Sequence, residues 1–169
     1  MKYVFVFFLA FLFARCDTAP NPIKKELKEI AREIMTNAKN CALITIDSSG
    51  VAHARTMDPF LPEEDFTVWM GTNPKSLKVQ QIQKNKNVTL YYFDSKTASY
   101  VTLQGFATIV NSKAEKQKYW KTAWENFYEN TTTDYRLIKF TPNTATIISE
   151  KYHIVGDAIT WKAPQLNLN

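Results

Sequence analysis

A chain of 169 residues, 45% apolar, 14% aromatic and 22% charged, is long enough for one domain with a real core and too apolar to be disordered. The net charge of +5 is carried by lysines scattered among acids with no arginine-rich run, which argues for a solvated basic surface and against nucleic acid as a partner. With only 2 cysteines and 2 histidines, a disulfide framework is excluded and a metal site gains no support.

The first predicted element is a leader over residues 1–16. One lysine precedes an apolar run from Tyr3 to Phe13 that ends at Arg15-Cys16-Asp17. That run is too short to span a bilayer as an ordinary helix and suits the core of a signal peptide. Cys16 resembles the lipidated cysteine of a bacterial lipoprotein, although Arg15 stands where a small residue is usual. Secretory cleavage after Cys16, or a buried element of the domain itself, are the alternatives. Export to the cell envelope or periplasm is the expectation, with membrane attachment through a lipidated Cys16. Residues 17–21 form a polar tether, and 22–169 a single domain.

Pro22 opens a helix in which Ile23, Leu27, Ile30, Ala31, Ile34 and Met35 recur at helical spacing, so one stripe faces the core. Strands at 41–46 and 51–57 flank Asp47-Ser48-Ser49-Gly50, a hairpin signal in which glycine supplies the positive φ. A strand at 65–71 follows a Pro-bounded loop. Asn73 can cap a helix that starts at Pro74, with Leu77, Val79 and Ile82 on its apolar side up to residue 85. Strands at 88–93 and 99–110 follow, with Gly105 at a bend or bulge.

Ser112-x-x-Glu115 is a capping box and predicts a helix from 113 towards 128. A last hairpin, 136–141 and 145–149, turns at Pro142-Asn143. The tail is expected to be irregular, with Trp161 as its apolar anchor. Strands in hairpin succession with inserted helices point to an α+β fold, an antiparallel barrel with peripheral helices.

The chemistry-bearing residues gather between 53 and 78. Arg55-Thr56-Met57 lies near the end of one strand, Trp69-Met70-Gly71-Thr72 at the end of the next, and Ser76 and Lys78 at a helix start. Arg55, Thr72, Ser76 and Lys78 would converge where backbone N–H groups point outward, an arrangement that suits a phosphate monoester. The adjoining apolar strand ends suit a flat ring, so FMN is the ligand this pattern favours.

Plainer readings stand beside these. Arg55 could pair with Asp58 or Glu63 on the surface, and Trp69 and Met70 could be core. Trp120 and Trp124 fit burial against the barrel or a partner subunit. His53 shares a face with Arg55 and reads as a solvated strand residue. Cys41 reads as a core thiol. No pair of carboxylates is placed for acid–base work, and no protein residue is assigned as catalytic.

In order and spacing, several segments resemble the pyridoxamine 5'-phosphate oxidase-like, FMN-binding split-barrel proteins, in particular the general stress protein 26-like subgroup. They are Ala42-Leu43-Ile44-Thr45, Arg55-Thr56-Met57, Trp69-Met70-Gly71-Thr72-Asn73 with Ser76 and Lys78, 82–88, and Tyr100-Val101-Thr102-Leu103-Gln104-Gly105. The resemblance implies that Arg55 and Lys78 hold the flavin phosphate with help from Thr72 and Ser76. It also implies that backbone groups of Thr56, Met57, Asp58, Met70 and Gly71 meet the isoalloxazine edge. Tyr100 falls where true oxidases of the family carry a flavin-contacting glutamine. A homodimer with cofactor sites at its interface is implied as well.

Leu77 replaces a second phosphate-binding arginine, and the arginine-containing C-terminal substrate segment is missing. A true pyridoxamine phosphate oxidase is therefore not expected. The resemblance implies an FMN-dependent oxidoreductase passing electrons from a reduced donor to an unidentified acceptor. The alternatives are a flavin carrier or sensor without turnover, or a split barrel holding a deazaflavin or a haem, whose axial ligand would be His53 or His153.

Overall fold

The computed structural model describes residues 22–168; the leader, the tether and Cys16 lie outside them. The elements are α1 (Pro22–Ala38), β1 (Cys41–Ile46), β2 (Ala52–Met57), β3 (Val68–Thr72), α2 (Leu77–Lys84), β4 (Asn87–Asp94), β5 (Ser99–Val110), α3 (Lys113–Lys118), β6 (Arg136–Ile148) and β7 (Gln165–Asn167). A 3-10 turn, Thr122–Trp124, follows α3.

All strands pair antiparallel in one 7-stranded sheet of order β2-β1-β4-β5-β6-β3, with β7 added on β6. The sheet curls until its two outer strands meet. A bridge joins Pro59, just past β2, to Met70 on β3, and Phe60 N–H donates to the Trp69 carbonyl at 2.9 Å. This is an α+β antiparallel split barrel, closed on one side by a single bridge.

Alternation fills the interior: Cys41 and Leu43 on β1, Val88, Leu90 and Tyr92 on β4, and Val101 and Leu103 on β5 are all buried. Helix α1 lays Ile30, Ala31, Ile34 and Met35 on this core. Each fully buried aliphatic side chain contributes roughly 1.5–3 kcal/mol, so the apolar stripe docks the helix. Cys41 is 3% exposed, and burial pushes its thiol up to about 12. The hairpin turn carries Gly50 at φ 87, as the sequence required.

Several expectations are corrected. The strand at 65–71 begins later, at Val68, because Asp65 folds back to accept the Thr67 N–H at 2.8 Å. Helix α2 starts at Leu77 rather than Pro74: Asn73 accepts the Lys75 N–H at 2.9 Å in a local turn, and Ser76 becomes the N-cap. Leu77 is 56% exposed rather than on an apolar face.

The 136–149 hairpin is instead one continuous strand. Pro142 sits opposite Gly105 beside a register shift, where its missing N–H costs no ladder bond. A Cβ on Gly105 would stand 2.2 Å from the Thr141 carbonyl oxygen, so the two strands cross too closely there for a side chain. The long helix to residue 128 stops at Lys118. Beyond it, Tyr119, Trp120, Trp124 and Tyr128 turn inward onto Trp69, Tyr135 and Leu137, and this aromatic packing overrides helical propensity. In the tail, Trp161 is 85% exposed and Leu166, on β7, is the anchor at 5%.

Candidate functional site

Arg55 stands opposite Leu43 in the β1–β2 ladder. Its guanidinium donates through Nη1 to Thr45 Oγ1 at 2.6 Å and through Nη2 to Gln81 Oε1 at 3.0 Å. The Thr45 hydroxyl donates to the same Gln81 oxygen at 2.6 Å. Thr45 and Gln81 are buried, so the guanidinium is held in one orientation by a small polar triangle. Gln81 Nε2 is buried without a hydrogen-bond partner.

Lys78 precedes Gln81 by three residues on α2, which puts the two on one face of the helix. Burial, then the nearby positive charge of Arg55, hold the Lys78 ammonium below the ordinary lysine range. Among the described residues neither cation pairs with a carboxylate. Close by, the hydroxyls of Thr72 and Ser76 are 3.2 Å apart. Two neighbouring cations stand here without a counter-charge, with hydroxyl donors beside them, a donor set with the chemistry to hold an anion.

A cleft of about 570 Å³ runs from Lys78 along the strand ends. One wall is Thr56, Met57, Asp58, Gly71 and Thr72; the other is the aromatic cap, with Trp124, Phe127 and Tyr128. The cap is tied down through Asp58. Lys121 Nζ lies 2.6 Å from Asp58 Oδ1 and donates to the Pro59 carbonyl at 2.9 Å, while Trp124 Nε1 donates to Asp58 Oδ2 at 3.2 Å. The volume suits one mid-sized cofactor with apolar walls and a cationic end.

The structure thus gathers Thr56, Met57, Asp58, Gly71, Thr72 and Lys78 around one cleft, with Arg55 and Ser76 bonded to or repelling residues at its end. Met70 is not brought to the cleft: the whole residue is buried in the barrel core. Tyr100 is not brought to the cleft: it sits half-buried on the outer face of β5, its ring 5.6 Å from that of Tyr91.

His53 is not a free strand residue, since its Nε2 lies 2.7 Å from Asp47 Oδ2. Neither histidine lines the cleft. Gln81 and Thr45, which orient Arg55, were not anticipated; the one signal was Gln81's place three residues after Lys78. The cap residues at the cleft, Phe127 and Tyr128, were missed because a continuous helix would have aimed them elsewhere.

A model of the family described as Pyridoxamine 5'-phosphate oxidase like matches residues 25–162. The chain belongs to the pyridoxamine 5'-phosphate oxidase-like family. Within it, the chain is 26% identical over 109 residues to General stress protein 26 of Bacillus subtilis (strain 168), covering 63% of this chain and 76% of that protein. The crystal structure of General Stress Protein 26 from Bacillus anthracis superposes with a TM-score of 0.64 at 27% identity, covering 73% of this chain and 94% of that one.

The same fold is seen in the crystal structure of a pyridoxamine 5'-phosphate oxidase-related, FMN binding protein from Nostoc punctiforme. Its TM-score is 0.62 at 14% identity, covering 89% of this chain and 99% of that one. The oxidase-like family and its split barrel therefore account for nearly the whole described chain.

Proposed function

We propose that this protein binds FMN in the cleft, phosphate towards Arg55 and Lys78 and ring along the wall formed by Thr56, Met57 and Asp58, and acts as an oxidoreductase. The observation that carries this is Lys78 at one end of an apolar-walled cleft, with the Arg55 cation near enough to be felt by it and neither paired with a carboxylate among the described residues. A phosphate dianion would supply the charge that Arg55 and Lys78 lack and accept from the Thr72 and Ser76 hydroxyls. Trp124 covers the Gly71 backbone, which leaves the Thr56, Met57 and Asp58 side of the cleft for a flat ring. The Nostoc punctiforme protein of the same fold, described as FMN binding, supports the same ligand.

When bound, the flavin supplies the redox chemistry. The chain's own residues orient it and limit water. Arg55, fixed by Gln81 and Thr45, presents its remaining N–H groups at one place, and Trp124 shields the ring side of the cleft. Asp58 is the carboxylate of the cleft wall, and it is engaged by Lys121 and Trp124.

A second copy of the chain would complete the site. The outer face of β4 and β5 exposes Phe93 (50%) beside Tyr91 and Tyr100, with Phe106 (46%) at the other end of the same ladder, aromatic surface of the kind a homodimer buries. Tyr100 would reach a cofactor only across such an interface. We also propose that the first sixteen residues direct export and that Cys16 carries the anchor; the mass of the mature protein from membranes tests it.

The test of function is calorimetry with FMN on wild type and on the Arg55→Ala/Lys78→Ala double variant, followed by anaerobic reduction of the bound flavin with a nicotinamide donor. Binding lost in the variant, and bleaching with reoxidation at catalytic rate in wild type, support an oxidoreductase. Binding without any turnover would make the protein a flavin carrier.

A further inference from the structure

Outside the cleft, a second hollow of about 490 Å³ opens beside α3 and the loop before β6. Trp120 and Tyr135 form its aromatic corner, their ring centroids 5.2 Å apart and their planes at 83°. Lys113 and Lys116 line it on one side and Thr131 and Thr132 on another, and no carboxylate lines it. Its size is that of a small-molecule site. Tyr135 is fully buried behind Trp120, so the half-buried Trp120 is the ring that a flat guest can stack against.

The charges beside this corner are unbalanced. Lys116 Nζ donates to Asn111 Oδ1 at 3.2 Å and to the Thr132 carbonyl at 3.4 Å. That same carbonyl accepts from Arg136 Nη1 at 2.8 Å, and Arg136 also donates to the Tyr135 carbonyl at 2.7 Å. Two cations thus share one oxygen. Burial, then the charge of Arg136, lower the Lys116 pKa.

Among the described residues no carboxylate pairs with either group. Three lysines elsewhere do find carboxylates: Lys118, Lys121 and Lys151 meet Glu63, Asp58 and Glu33 at 3.6, 2.6 and 2.6 Å. An anion between Lys116 and Arg136 would supply what those carboxylates supply there.

We propose that this hollow binds a small planar anion of the aromatic carboxylate class, its ring against Trp120 and its carboxylate beside Lys116 and Arg136. A bare inorganic anion would answer the charge and leave the aromatic corner in water. An uncharged ring would leave the two cations facing each other. The hollow shares no lining residue with the cofactor cleft, so it stands whether or not flavin binds there. The two spaces do share a wall, since Trp124 lies 6.2 Å from Trp120 and 5.9 Å from Tyr135 between ring centroids.

The experiment is calorimetric titration of the purified full-length protein with benzoate and, separately, with inorganic phosphate, tryptophan fluorescence being recorded in parallel. Saturable benzoate binding at one site is expected. Lys116→Met, which keeps the aliphatic stem, should weaken it by about tenfold or more, and thermal unfolding should show the variant folded. The Arg55→Ala/Lys78→Ala variant, which disables the cofactor cleft, should bind benzoate as wild type does. The proposal is overturned if benzoate does not saturate, if phosphate binds as tightly as benzoate, or if the cleft variant rather than Lys116→Met loses binding.

Discussion

The indole of Trp124 rests directly on Gly71: a Cβ at Gly71 would stand 2.6 Å from Trp124 Cζ3 and 3.0 Å from Tyr135 Cε2. The backbone of β3 and the aromatic cap therefore meet without room for a methyl group. Gly71→Ala should destabilise the protein by roughly 1–3 kcal/mol, the usual cost of overpacking, and disturb the cleft. Chemical denaturation of Gly71→Ala and of Gly71→Ala/Trp124→Leu checks this. The second change should recover part of the loss if the clash is the cause.

Gln81 holds Arg55 in place and does not itself line the cleft. Its Oε1 takes the Arg55 Nη2 donor and the Thr45 hydroxyl together. Gln81→Ala should free the guanidinium and weaken FMN binding several-fold. Gln81→Glu should do more damage despite its similar shape, because the new carboxylate would neutralise Arg55; a loss of at least about tenfold, or about 1.4 kcal/mol, is expected. Fluorescence titration with FMN gives both values, and a Glu variant that binds as well as wild type would remove Arg55 from the account.

Alkaline pH should weaken the cofactor's hold in a way traceable to Lys78. In the free protein, burial and Arg55 lower the Lys78 pKa, so its proton leaves at a lower pH than for an ordinary lysine. A phosphate dianion favours the charged form. Affinity should therefore be full below that pKa and fall as pH rises through it. Titrations with FMN across the alkaline range should show this limb in wild type and lack it in Lys78→Met.

Cys41 should be inert while the protein is folded. It is buried against Tyr92 and the barrel interior, with its thiol pushed up to about 12. In a Cys16→Ser chain, an aromatic disulfide reagent should release no colour until denaturant is added. Rapid reaction under native conditions would show that β1 opens locally.

The parts of the fold fixed by local chemistry were legible in the chain. Gly50 announced the first hairpin, the Ile30, Ala31, Ile34 and Met35 stripe announced α1, and alternation announced β4 and β5. The parts fixed by distant partners were not. Pro142 looks like a turn until Gly105 is seen opposite it. The capping box at Ser112 does hold, since Ser112 accepts the Glu115 N–H. What it cannot reveal is that Tyr119 and Trp124 find better partners in Trp69 and Phe60 than a continued helix offers.

The site divides in the same way. Arg55, Thr72, Ser76 and Lys78 sit on segments whose strand and turn signals are legible, but β2 and β3 are the two outer strands, and only closure of the sheet brings them towards each other. Gln81 and the cap enter through tertiary packing alone.

The absorbance spectrum of the full-length protein, purified without added cofactor and again after equilibration with FMN and gel filtration, tests the central claim most directly. A flavin spectrum that stays with wild type and is absent from Arg55→Ala/Lys78→Ala is the predicted result. A colourless wild type that retains no FMN, or a double variant that retains it equally, would contradict the assignment of this cleft.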